Sequence, residues 1–318
     1  MKFSTFFAAG LFSSALAHPE HLSAREVQRR GTISRRCEPS AANFNKKRYE
    51  NRMAKRWAGS GNTTFQVTAE APYYDSIQND TCVLSPVVTE GPYVWPRSQT
   101  LRQDMTEDQS GIPLWLDIGV IDTTTCEPIP NVLLNFWHCN ATGSYSSFTG
   151  LSPNTGFPEL LTELNVTDYE IGTTDLHTDD TTWLRGQWPT DSEGVMEMKT
   201  IFPGFYVERA IHIHIQAYTD WSLHENGTVS TGHIASTGQI YFNETLSEQI
   251  MALEPYAQHT EINRTTNAAD SVFSSSEDGG YNPVISVIAA DGENVENGMI
   301  GYITFGIDPS ADGVDNTQ

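Results

Sequence analysis

The chain has 318 residues and a formal net charge of −22, from 18 Lys and Arg against 40 Asp and Glu. The imbalance is uneven: twelve of the cations precede residue 57, and the remainder sets six against 36 acidic residues, a formal −30. Such a surface repels phosphate backbones and anionic lipid, which excludes nucleic acid and membrane surface as partners.

At the start of the chain, Lys2 precedes an apolar run from Phe3 to Leu16 that ends in Ala15-Leu16-Ala17. A charged start, a short apolar stretch and small residues at its end predict a secretory signal peptide over 1–17, hence a secreted, extracellular protein. A transmembrane anchor would need about twenty apolar residues, and no later segment supplies them. Residues 18–56 contain Arg29-Arg30, Arg35-Arg36, Lys46-Lys47-Arg48 and Lys55-Arg56 with few large apolar side chains. Basic pairs in an exported chain read as processing sites, so 18–56 is predicted to be a basic pro-segment, with the mature chain starting at Trp57. A basic tail that stays attached is the competing reading.

Seven Asn-x-Ser/Thr sequons, at Asn62, Asn79, Asn140, Asn165, Asn226, Asn243 and Asn263, predict glycosylation at several of them. Asn140 stands apart because its neighbours read as buried. The four cysteines are Cys37, Cys82, Cys126 and Cys139. If Cys37 leaves with the pro-segment, one disulfide and one free thiol are expected, with the pairing left open.

Residues 57–318 suit one domain, with its core over about 82–307. Short alternating runs bounded by Gly, Pro, Asn and Asp recur at 114–122, 131–138, 194–202, 211–218, 239–242, 284–289 and 298–307. They predict an all-β fold, a β-sandwich of mixed topology with few short helices, one of them around 246–257. Along Ile211-His212-Ile213-His214-Ile215-Gln216, alternation sends the isoleucines to a core face and His212, His214 and Gln216 to the other. Ile303, Phe305 and Ile307 form a second core stripe.

Two imidazoles at i and i+2 on one strand face suit chelation of one ion, although a polar face on a half-exposed strand explains an isolated pair equally well. The context adds weight. Phe202-Pro203-Gly204-Phe205-Tyr206 reads as a turn that delivers a tyrosine six residues before His212, with Arg209 three before it. For Arg209 to share the histidine face the strand must begin near Ala210, leaving 206–209 in a loop. Upstream, Asn135-Phe136-Trp137-His138 runs into an Asn/Gly turn followed by Tyr145.

The pair WHCNATGSYS and PGFYVERAIHIHI resembles the intradiol ring-cleavage dioxygenases, especially their secreted fungal branch. Thr89-Glu90-Gly91-Pro92-Tyr93, Leu184-Arg185-Gly186 and Gly238-Gln239-Ile240-Tyr241-Phe242 extend the match, in order, from about Cys82 to Ile307. The resemblance implies one iron(III) per chain held by Tyr145, Tyr206, His212 and His214. It also implies Arg209 and Gln239 beside the substrate, with Tyr93 and Trp137 as pocket or scaffold residues. Tyr206 would be the ligand displaced by substrate and Tyr145 the one that stays. His138 and His177 have no part in the motif. Departures from it are Cys139, where many relatives have alanine, Trp188 after Leu184-Arg185-Gly186, and a polar insertion between His214 and Gln239.

The implied chemistry agrees with the residue types. Phenols ionise near pH 10, so two tyrosinates at neutral pH need a hard cation to replace their protons. The implied reaction opens a catechol-type ring between its hydroxyls with O2, giving a muconate-type dicarboxylic acid without an organic cofactor. Two alternatives remain open: a β-sandwich that binds phenolics or glycans and has lost catalysis, and a copper or manganese oxidase using the same ligands. The identity of the catechol and the oligomeric state are not legible in the sequence.

Overall fold

Four α-helices and ten strands follow one another among the described residues of the computed structural model, which are 23–58, 91–95, 100–170, 174–225, 229–232, 234–278 and 281–310. In order they are α1 (Ala24–Ala58), β1 (Pro113–Asp122), β2 (Leu133–Trp137), α2 (Phe157–Glu163), β3 (Arg185–Pro189), β4 (Val195–Ile201), β5 (His212–Tyr218), β6 (Trp221–Leu223), β7 (Val229–Thr231), β8 (Ile234–Tyr241), α3 (Glu244–Met251), α4 (Ser271–Ser276), β9 (Ser286–Ala289) and β10 (Met299–Ile307). The predicted signal peptide, Cys82, Thr89, Glu90 and the sequons at Asn62, Asn79 and Asn226 lie outside the described residues.

Two four-stranded sheets carry the fold. In the first, ordered β4-β1-β10-β9, β1 pairs parallel with β10 and antiparallel with β4. In the second, ordered β3-β2-β5-β8, every pairing is antiparallel. The predicted β-sandwich of mixed topology is the fold observed. The polar insertion after His214 folds in part into the β6-β7 hairpin.

Period-2 alternation decides which residues meet between the sheets. Leu114, Leu116, Ile118 and Val120 of β1 and Ile303, Phe305 and Ile307 of β10 pack with Leu134 and Phe136 of β2 and Ile213, Ile215 and Ala217 of β5. The opposite faces of β2, β5 and β10 are also covered, which is why these strands are buried throughout. Over the second sheet the loops around 91–95, 139–151 and 202–210 enclose Trp137, His212, His214 and Gln239.

Over the first sheet lies α1, a 35-residue helix that contains most of the segment read above as a pro-segment. It packs through Cys37, Ala41 and Phe44 against Ile121 and Cys126, and a disulfide joins Cys37 to Cys126. Cys139 is a buried free thiol. The predicted helix at 246–257 is α3, which stops at Met251. Pro255 cannot donate to a continuing helix and disfavours helical backbone at Glu254, and a short 3-10 turn at Tyr256–Gln258 follows instead. Of the described sequons, Asn165, Asn243 and Asn263 are exposed, whereas the Asn140 side chain accepts from the backbone N–H groups of Thr142 and Ser144. Among the described residues no helix is long and apolar enough to cross a membrane.

Candidate functional site

Strand register assembles the first half of the site. On β5, His212 and His214 project to the side opposite the isoleucines, and β8 pairs Tyr241 with His212 and Gln239 with His214. On the other flank β2 pairs Trp137 with His214, and the two rings stack at 4.8 Å with an interplanar angle of 2°. These five polar or aromatic groups therefore share one face by the same parity that buries Ile213 and Ile240 in the core.

Two loops supply the tyrosines, and each is shaped by close backbone approach. Gly204 donates its N–H to the Asn140 carbonyl, and a Cβ on Gly204 would sit 2.4 Å from the carbonyl oxygens of Asn140 and Ala141. Gly143 has a φ of +89°, and a Cβ there would sit 2.2 Å from the Phe205 carbonyl oxygen. Side chains at either position are excluded, so the loop bearing Tyr145 and the loop bearing Tyr206 interlock. Their rings meet edge to face at 5.5 Å. Tyr93 stacks on Tyr145 at 4.6 Å and meets Tyr206 edge-on at 5.9 Å.

The polar atoms converge. His212 Nδ1 lies 2.6 Å from the Ala210 carbonyl, which can only accept, so Nδ1 carries the proton and Nε2 presents its lone pair inward. Two groups compete for that lone pair: the Tyr206 hydroxyl at 3.2 Å and His214 Nε2 at 3.0 Å. The Tyr145 hydroxyl is buried and makes no hydrogen bond, although it is near enough to Tyr206 for each to influence the other's ionisation. Burial holds the Tyr145 pKa well above the usual phenol value and pushes that of Tyr206 up to about 12. Burial and the nearby Arg209 charge hold His212 well below the usual imidazole value. His214 is likewise lowered by burial, His212 and Arg209, so both rings are neutral, the form that ligates metal.

Arg209 lies in the loop before β5, in the arrangement the sequence required for it to reach the histidine face. Its Nε donates to Asp270 Oδ2 at 3.0 Å, and Nη2 donates to Gln239 Oε1 and, at 3.1 Å, to the Tyr241 hydroxyl. Asp270 Oδ2 also accepts from the Ala210 N–H at 3.0 Å, while Oδ1 caps α4 through the Val272 N–H. Burial opposes the guanidinium charge, but Tyr206, Tyr241 and Asp270 outweigh it and its pKa is raised.

All eight residues singled out from the sequence, Tyr93, Trp137, Tyr145, Tyr206, Arg209, His212, His214 and Gln239, therefore gather in one place. Sequence reasoning missed Asp270, 61 residues from the arginine it holds, and gave no role to Tyr241 or Arg185. The buried Arg185 donates through Nε to Ser146 Oγ and through Nη2 to the backbone carbonyls of Tyr93 and Ser146, tying the Tyr93 segment to the residue after Tyr145. His138 is enclosed by hydrogen bonds to the Cys139 carbonyl and Thr200 Oγ1, both 2.7 Å, and does not face the cluster. His177 stacks on Trp95 at 4.0 Å. Among the described residues no group of three or more His, Cys, Asp or Glu could hold a metal, so a metal at this site would depend on the tyrosines.

No family model and no curated protein matches the chain. Among solved structures, an intradiol ring-cleavage dioxygenase from Tetranychus urticae is 26% identical, with a TM-score of 0.57 over 74% of this chain and 98% of that one. A second dioxygenase structure matches at 26% identity and a TM-score of 0.56 with the same coverage. The dioxygenase domain of a carbohydrate-binding fusion protein from Streptomyces sp. SirexAA-E is 23% identical over 70% of this chain and 97% of that one, with a TM-score of 0.40. The likeness to the Tetranychus enzyme takes in almost its entire length, and the fold of this chain is that of the intradiol ring-cleavage dioxygenases.

Proposed function

We propose that the protein is a secreted, iron(III)-dependent enzyme that cleaves a catechol-type ring between its two hydroxyls with O2, giving a muconate-type dicarboxylic acid. The observation that carries this reading is the convergence of two phenol oxygens and two imidazole nitrogens beside one half-buried guanidinium. The donor set fits a hard trivalent ion. His212 Nε2 has two neighbours for one lone pair, and the Tyr145 hydroxyl is a buried polar atom without a partner. A cation at their centre relieves both. Tyr145, Tyr206, His212 and His214 would hold one iron(III) per chain. When bound, the ion supplies the acidity that ionises phenols at neutral pH and a redox-active centre through which catecholate and O2 react.

The remaining roles belong to the chain. Tyr206 is attached to the histidines by a single hydrogen bond and is the group suited to leave and to take a catechol proton on its phenolate oxygen. Tyr145 lies beneath the stacked Tyr93 ring and remains. Arg209, fixed on three sides, presents a permanent positive charge where the ring acquires negative charge in the transition state. Gln239 sets one edge of that guanidinium. Tyr93 and Trp137 exclude water by stacking on Tyr145 and His214.

The test is metal analysis and a visible spectrum of protein produced with ample iron, followed by oxygen uptake across a catechol panel. About one iron per chain, a tyrosinate charge-transfer colour and muconate-type product are expected. Colourless, iron-free protein that consumes no oxygen with any catechol would overturn the proposal and favour a binding protein.

A further inference from the structure

We propose that residues 24–48 are a permanent part of the mature protein, so that cleavage after Lys55-Arg56 yields two chains joined through Cys37–Cys126 and releases no pro-segment. The inference rests on the secretory reading above and is independent of ring cleavage.

The helix is held along one stripe. Cys37, Ala41, Phe44 and Arg48 follow at spacings of four, three and four, which places them on one face of α1, and all four are buried. Cys37 is bonded to Cys126, 89 residues away in the turn after β1, and the Arg36 guanidinium donates to the Thr123 carbonyl in the same turn. Further along, Phe44 and Arg48 fill a notch at Gly119 of β1. A Cβ there would sit 2.6 Å from the Phe44 ring and 2.4 Å from Arg48 Nη1.

Arg48 closes the stripe. Its Nη2 donates to the Asp117 carboxylate and, at 2.7 Å, to the Asp117 carbonyl, while Nη1 donates to Thr304 Oγ1 at 2.8 Å and to Asn45 Oδ1 at 3.0 Å. The Arg48 and Asp117 side chains are 6% and 4% exposed. Asp117 and Thr304 belong to strands whose alternate residues build the core, so they lie on the outer face of the first sheet, a face normally left to solvent. Here they are buried because α1 covers them. A polar outer face with a glycine notch and a cysteine beside it is matched in detail by the helix that sits on it.

The proposed cut lies beyond all of these contacts, eight residues past Arg48 and nineteen past Cys37. Of the earlier basic pairs, Arg30 and Arg48 are buried and the Arg36 guanidinium is engaged with the turn. Lys55-Arg56 falls in the last turn of the helix, where ends fray. An endoprotease specific for paired basic residues would hydrolyse the Arg56–Trp57 bond with one water, leaving a carboxylate on Arg56 and an amine on Trp57. The Cys37–Cys126 bond is untouched, and oxidising conditions outside the cell preserve it.

The full chain is expressed in a eukaryotic secretory host and purified from the medium without reductant. It is then deglycosylated, its intact mass is measured before and after reduction, and its N termini are sequenced. One mass that separates into two on reduction is expected, with Trp57 as one N terminus and a residue before Arg25 as the other. A disulfide-linked peptide pair containing Cys37 and Cys126 should appear in an unreduced digest. The Cys37→Ser variant should separate into the same two chains on a denaturing gel without reductant. Trp57 as the sole N terminus, with no second chain before reduction, would overturn the proposal, and a single uncut chain would overturn the two-chain form. Absence from the medium would refute export, and this proposal with it, while leaving ring cleavage standing.

Discussion

Replacing Asp270 with asparagine tests whether the charge of Arg209 is held in place from behind. The Asp270 side chain is 1% exposed and its Oδ2 accepts two donors, Arg209 Nε–H and the Ala210 N–H. An asparagine can keep its oxygen on the Val272 N–H but then turns an NH2 group toward two other donors. Removing one partner from a buried ion pair costs about 3–5 kcal/mol, and the retained cap puts Asp270→Asn near the lower end, about 3 kcal/mol of stability. Arg209 keeps Gln239 and Tyr241 but loses its anchor, and a displacement of about 1 Å in a positioned group costs about 100-fold in rate. Steady-state oxygen uptake should therefore show kcat lowered about 100-fold with KM changed far less, and metal analysis should return wild-type iron, since no proposed ligand is touched. Wild-type kcat would refute the argument, as would iron loss in proportion to activity, which would make Asp270 a scaffold for the metal cluster instead.

Three further expectations follow from the site. Tyr145→Phe removes the oxygen donor that stays and should lower iron retention and the charge-transfer band, whereas Tyr206→Phe should retain more iron, still form a coloured catecholate complex, and turn over slowly; equal iron loss and identical spectra would contradict the division of roles. Gly204→Ala forces a Cβ to within 2.4 Å of two backbone carbonyls and should destabilise by about 3 kcal/mol, read as a lower Tm with iron loss, while an unchanged Tm would show that the loops do not interlock. Burial pushes the Cys139 thiol up to about 12, so it should resist alkylation at pH 8 until the protein is unfolded, and modification of the native protein would show that the site is open there.

Much of this architecture can be read from residue order because it depends on parity. Alternation in 211–216 puts two histidines on one face and three isoleucines on the other, and strand ends fall within a residue or two for β1, β4, β5 and β10. Where alternation is absent the sequence is silent. Arg185–Pro189 contains a glycine, a tryptophan and a proline with no period, and becomes β3 because β2 and the bridge from Leu101 lie on either side of it. The packing face of α1 is equally hard to see. Its stripe of cysteine, alanine, phenylalanine and arginine offers little apolar area, and the partners of Cys37 and Arg48 lie 89 and 69 positions away. Asp270 is a similar case: nothing around it in the chain marks it as a partner of Arg209, because the relation exists only once α4 is placed beside the loop before β5.

The interlocked glycines bear on how a site of this kind would exchange ligands. With the Phe205 carbonyl seated against Gly143 and the Gly204 N–H bonded to Asn140, the backbone leading into Tyr206 has no room to lift as a lid. Motion of the Tyr206 hydroxyl away from His212 is then confined to rotation about its own χ1, a transit between staggered wells that breaks one hydrogen bond and leaves the loop unchanged. Tyr93, edge-on at 5.9 Å, limits the sector through which that ring can swing. Opening and closing would thus be a side-chain event on a fixed frame, and its rate would respond to the size of residue 93 sooner than to the flexibility of any loop.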